Sequence, residues 1–153
     1  MSMRGDMLDA FANRVATVTA ANGYSTDVKK VYADKIRMGL ILNPYQLPAV
    51  FIFDVQDTIQ LIHGQMLGSW EFDIQLWHNK VGDVEMANYV RDVMKSIFAN
   101  SPTATRVDAF RAIHPQIVEA KPLSIASDLN MIDANRISEI RFMLSYRTTL
   151  FNM

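Results

Sequence analysis

The stretch GSWEFDIQLWHN, Gly68 to Asn79, gathers both tryptophans of the chain, two carboxylates and a histidine. These are the residue types of an acid–base or metal site. Glu71 and Asp73 stand two residues apart, which on a strand sets them on one side about 6.6 Å from each other, a separation open to paired-carboxylate chemistry. That chemistry needs one carboxyl raised in pKa by an apolar pocket. Here the pair alternates with Gln75 on a row that reads as solvated, and Arg141 and Arg147 are available to neutralise it.

The chain has three histidines, His63, His78 and His114. A metal needs two or three ligands converging on one point. Pairing the apolar side of Trp70–Leu76 with Ile59 and Leu61 sets His63 opposite Trp70, and His78 then lies roughly 26 Å farther along the strand. No His-x-x-x-His or Glu-x-x-His spacing occurs, and the absence of cysteine excludes thiolate zinc, disulfides and cysteine nucleophiles. Gly-x-Ser-x-Gly and phosphate-loop motifs are also missing. The expectation is a chain with no cofactor and no metal. An enzyme or small-molecule-binding α+β domain using Glu71, Asp73 and His78 stands as the alternative of a different class.

The elements that must position these residues follow from periodicity. Leu8, Phe11, Val15 and Val18 recur at helical steps between Asp6, a candidate cap, and Asn22, with Gly23 placed to end the helix left-handed. Tyr24–Asp34 reads as a weak strand. Lys35–Pro48 is a loop whose group Met38, Leu40, Ile41, Leu42 and Tyr45 is unusually apolar for an exposed segment, and so is either folded back onto the core or a partner-binding loop. Pro48 opens AVFIFDV, a run suited to a strand buried on both faces.

Asp57–His63 and Gly68–Asn79 then form a hairpin through GQMLG. Matching apolar faces places Leu61 opposite Phe72 and Ile59 opposite Ile74. Trp70, Phe72, Ile74 and Leu76 share the buried side, while Glu71, Asp73 and Gln75 share the polar one. Trp77 is the aromatic out of place on that polar side. It either is packed beneath a loop or the sheet edge or, with His78, anchors an interface.

Asp83 is expected to cap a second helix striped by Met86, Val90, Val93 and Ile97, stopped by Asn100–Pro102. Ile113–Ala120 is expected as an edge strand despite Pro115. In the last strand Ile140, Phe142, Leu144 and Tyr146 alternate with Glu139, Arg141, Ser145 and Arg147. These elements define a single α+β domain over residues 1–153, with a mainly antiparallel or mixed sheet and two amphipathic helices packed on one face.

Length, charge and hydropathy set the remaining bounds. A chain of 153 residues buries roughly 70% of its unfolded surface, enough for one core. Fifteen basic residues against sixteen acidic ones, with no like-charge run, lack the footprint of a dedicated nucleic-acid or anionic-membrane binder. No window reaches the ~18 uncharged apolar residues of a spanning helix. The N-terminus MSMRGDML has no leader-like apolar core, so the mature chain is expected to begin there.

The order of these blocks resembles the tail terminator, or tail completion, proteins of long-tailed bacteriophages. The blocks are an amphipathic first helix, KVYADK, a loop, LPAVFIF, a meander ending in WEFDIQLW, the helix VEMANYVRDVMKSIF and a final EIRFMLSYRT. The resemblance spans nearly the whole chain. Of the acidic residues often found after the LPA strand, this sequence has Asp54 and Asp57. The resemblance implies a non-enzymatic virion protein that is assembled in the bacterial host cytoplasm and located at the head-proximal end of the tail.

The implied partners are other copies of the chain in a homohexameric ring, the major tail tube protein, and a head–tail connector or head-closure protein. DNA passes through without specific binding, and no membrane is involved. Another head-to-tail joining protein, such as a head-closure or connector adaptor, is the near alternative. A ring repeats one heterologous contact until it closes, and Met38, Leu40, Ile41, Leu42 and Tyr45 of the apolar loop, with Trp77 and His78, are the candidate subunit or tube contacts. The polar row of Glu71, Asp73, Gln75, Arg141 and Arg147 is the candidate channel face.

Overall fold

The computed structural model describes residues 3–33, 47–79, 81–99, 117–127 and 136–148. Helix α1, Met3–Val15, and helix α2, Asp83–Phe98, lie on one face of a sheet built from β1 (Lys30–Tyr32), β2 (Ala49–Ile62), β3 (Gln65–His78), β4 (Ile117–Ser127) and β5 (Arg136–Thr148). The spatial order is β1-β2-β3-β5-β4. β1 runs parallel to β2, and every other pairing is antiparallel, so the fold is α+β with a mixed sheet.

The core lies between helices and sheet. Trp70, Phe72, Ile74 and Leu76 of β3 meet Ile140, Phe142, Leu144 and Tyr146 of β5, and all are buried under Met7 and Phe11 of α1 and Tyr89, Val93 and Ile97 of α2. Phe72 is central: its ring stacks on Trp70 and Phe142 and tilts against Phe11, with centroids 4.9, 5.4 and 5.1 Å away. Each polar handle in this apolar layer has a partner, as buried aromatics require. Trp70 Nε1 donates to Asp54, Tyr146 Oη donates to Asp57, and Tyr89 Oη donates to the Ala49 carbonyl at 2.8 Å.

Several expected boundaries move. Helix α1 stops at Val15 rather than Asn22. Thr17 Oγ1 bonds the Arg14 carbonyl at 2.6 Å and Asn22 Nδ2 bonds the Thr17 carbonyl at 2.8 Å, side-chain bonds that compete with the helical ladder. A 3₁₀ turn, Ala20–Asn22, follows, and Gly23 at φ 91° ends it left-handed. Asp6 falls in the first turn of α1 instead of capping it, and Gly82, not Asp83, is the N-cap of α2.

The weak strand expected over Tyr24–Asp34 shortens to Lys30–Tyr32. The edge strand expected at Ile113–Ala120 is Ile117–Ser127, with Pro122 inside it next to a register shift. The expected stop of α2 at Asn100–Pro102 lies outside the described residues.

The hairpin differs most. AVFIF and Asp57–Ile62 form one strand, and the turn is His63–Gly64, so Ile59 pairs with Gly68 and Leu61 with Met66 instead of Ile74 and Phe72. Positive φ at both turn residues, 50° and 80°, meets the requirement of the tight I′ hairpin. The slip is six residues. Being even, it leaves every side chain on its expected face and changes only its neighbours.

Candidate functional site

Strand β3 sorts the candidate residues by alternation, since its pairing with β5 is unbroken from Met66 to His78. Glu71, Asp73, Gln75 and Trp77 face away from the helices, and His78 faces toward them. Asp73 lies opposite Arg141, and the guanidinium grips it with two bonds, Nε to Oδ1 at 2.8 Å and Nη2 to Oδ2 at 2.9 Å. Those bonds stabilise the guanidinium charge, and the Arg141 pKa is raised above its already high ordinary value. Asp73 is buried and both its oxygens are occupied, so it is not placed to abstract a proton.

The next rung is neutralised in a different way. Gln75 Nε2 donates to Glu139 at 3.0 Å, and Trp77 Nε1 donates to Gln75 Oε1 at 3.2 Å, a short relay across two strands. Trp77 itself is packed within its own chain at 8% exposure. It joins Leu47, Ala49, Phe51 and Ile137 in a second apolar cluster, with Tyr32 stacked on Phe51 at 4.9 Å.

The polar row of Glu71, Asp73 and Gln75 therefore gives way to a second apolar cover at one end of the sheet. The run AVFIF is apolar on both sides: Val50 and Ile52 enter the main core, and Ala49 and Phe51 need this second cover.

His78 is half-buried, its ring edge-on to Tyr89 with centroids 5.6 Å apart. Desolvation lowers its pKa, and Glu85 opposes that shift. It lines an open cavity of about 310 Å³ with Thr26, Asp27, Lys29, Glu85 and Asn88. Glu71 and Asp73 are thus separated from His78 by the sheet itself, and the three do not converge. His63 sits in the hairpin turn at the opposite end of β3, and His114 lies outside the described residues. Among the described residues no group of three or more His, Cys, Asp or Glu could hold a metal ion.

Arg147 is exposed on the polar face, where it shares a shallow depression of about 260 Å³ with Thr58, Gln60, Leu67, Ser69 and Ser145. The apolar candidates Met38, Leu40, Ile41, Leu42 and Tyr45 lie outside the described residues.

Two features escaped the sequence reading. Asp92, on the buried side of α2, accepts the Ser25 and Thr26 amides at 2.9 and 3.0 Å and so ties the 24–28 segment to the helix. A carboxylate three residues after Tyr89 and one before Val93 was its only signal. The second feature is apolar exposure on strands: Leu61 is 74% exposed, and Val118 and Ile125 are each 50% exposed.

No family model matches the chain, and no curated protein matches its sequence. Among solved structures the chain is similar to one in the virion of a native gene transfer agent particle. That likeness has a TM-score of 0.52 at 11% identity and covers 96% of this chain and 96% of that chain. At such identity the shared property is the fold.

Proposed function

We propose that this chain is a structural virion protein that closes the head-proximal end of a phage tail tube as a ring, ends tube polymerisation and offers the surface on which the filled head docks. The observation that carries the reading is the fold likeness to a virion chain, end to end in both proteins. The order of sequence blocks that resembles the tail terminators agrees with it independently.

The geometry suits a passive conduit. On the polar face of the sheet Arg141 is paired with Asp73, and Glu139 accepts a hydrogen bond from Gln75. A guanidinium already held by a carboxylate in this way grips a passing phosphate backbone less than an unpaired one would.

The test is positional. Gold-labelled antibody to this chain should mark one end of isolated, headless tails, at the end distal to the tip. Labelling confined to isolated heads would assign the chain instead to the head-closure or connector side of the joint, and labelling of neither would remove it from the virion.

A further inference from the structure

Eight large apolar side chains are exposed among the described residues, and seven of them belong to two strands. Val55, Ile59, Leu61 and Ile62 are on β2, and Val118, Leu123 and Ile125 are on β4; the eighth, Val84, is in the first turn of α2. β2 and β4 lie toward opposite edges of the sheet. β1 covers only Ala49–Phe51, so among the described residues β2 from Ile52 to Ile62 has a partner on one side alone, and β4 is paired only with β5. Exposed apolar residues concentrated at two edges mark surfaces built to be covered.

From these edges we infer that β2 of one copy docks against β4 of the next, head to tail, extending the sheet from subunit to subunit. The direction of the strands permits it without rearrangement. β2 opposes β3, β3 opposes β5 and β5 opposes β4, so β2 and β4 run in opposite senses within one chain. A second copy displaced along the sheet then presents its β4 antiparallel to the first copy's β2.

Charge permits it too. From Ile52 to Ile62 the charged residues are Asp54 and Asp57, both on the helix-facing side opposite Phe72 and Trp70, whereas Glu119 and Lys121 of the arriving strand are on the other face and meet no like charge there. Edge defence is unequal. β4 carries Lys121, Pro122 and two register shifts, devices that weaken pairing with any strand and do so twice over in a β4–β4 contact, while β2 has no lysine or proline along its open side. Val118 and Leu123 sit at the two shifts of β4, where a bulge re-aims side chains outward. An isologous β2–β2 contact would leave the β4 set exposed, whereas the heterologous contact covers both sets with one repeated interface. The contact deepens the ring reading above and rests on it only for closure.

Because the chain lacks cysteine, introduced thiols report cleanly. Thr58 and Glu119 are exposed and share the face away from the helices. Thr58→Cys, Glu119→Cys and the double variant, each first shown by circular dichroism to be folded, are treated with a short bifunctional maleimide, both as concentrated purified protein and in assembled particles.

The double variant should give a ladder of covalent multimers, a mixture of the two single variants should give dimers, and each single variant alone should stay monomeric. Leu61→Lys in the double variant should abolish the ladder. A dimer from Thr58→Cys alone, crosslinks only to a different particle protein, or no crosslink in either preparation overturns the inference. A ladder in purified protein combined with particles that lack the chain would keep the contact and refute the virion role.

Discussion

Removing the Asp92 carboxylate should cost stability by a definite route. Asp92 Oδ2 accepts two backbone amides, and Oδ1 accepts Arg91 Nε and Nη2 at 3.2 and 3.0 Å. In Asp92→Ala the amide of Thr26, a buried residue, loses its charged partner, worth about 1–3 kcal/mol. The Ser25 amide is on an exposed residue and water replaces part of its bond, so about 0.5 kcal/mol is lost there. The Arg91 side chain is 49% exposed and its ion pair adds only a few tenths of a kcal/mol. The sum is about 2–4 kcal/mol.

Asp92→Asn can keep one oxygen on both amides while turning its NH₂ toward Arg91, and should cost about 1 kcal/mol. Urea unfolding followed by tryptophan fluorescence measures both variants, with an unchanged m-value confirming that the denatured state is unaltered. If Asp92→Ala falls within about 0.5 kcal/mol of the parent, the amides are not held as described and the reasoning fails.

Further outcomes follow from the same packing. A Cβ on Gly68 would lie 2.1 Å from the Tyr146 ring, so Gly68→Ala should destabilise by about 1–3 kcal/mol through overpacking, and a melting temperature equal to the parent's would contradict that contact. His78 has a pKa depressed by burial, so the fold favours its neutral form. Its stabilising contribution is full above the unfolded value of about 6.5 and is lost as pH falls through the lower folded value, and stability measured from pH 7.5 to 5 should decline less steeply in His78→Gln. In a double-mutant cycle on Asp73 and Arg141 the coupling should be about 1 kcal/mol, since the arginine side chain is 39% exposed and solvent screens the pair. A coupling near zero would mean the two bonds do not persist in solution.

Side-chain period carried much of the fold into the sequence. The alternation in Trp70–Leu76 and Ile140–Tyr146 and the stripe of α2 are visible because one face of each is buried nearly without exception. The hairpin register was not legible for the same reason. A slip of six residues keeps Ile59 and Leu61 on the expected face, so periodicity cannot distinguish the two pairings, and the positive-φ turn at His63–Gly64 decides between them.

The bulge at Val55 was also hidden, because an inserted residue reverses parity without any residue type that demands it. At the candidate site the polar row of Glu71, Asp73 and Gln75 was legible, and so was a neutralising arginine. That Arg141, rather than Arg147, is the one that grips Asp73 depends on a register set by long-range pairing. The second core around Trp77 needed Ile137 and Leu47 brought together from distant parts of the chain, which local pattern does not encode.

The proposal that the chain ends tail growth is tested most directly by tail length. Electron micrographs of particles assembled in its absence should show tubes of widely scattered length, all lacking heads, with parental length and head attachment restored when the protein is supplied. Tails of uniform parental length carrying filled heads, formed without it, would contradict the account.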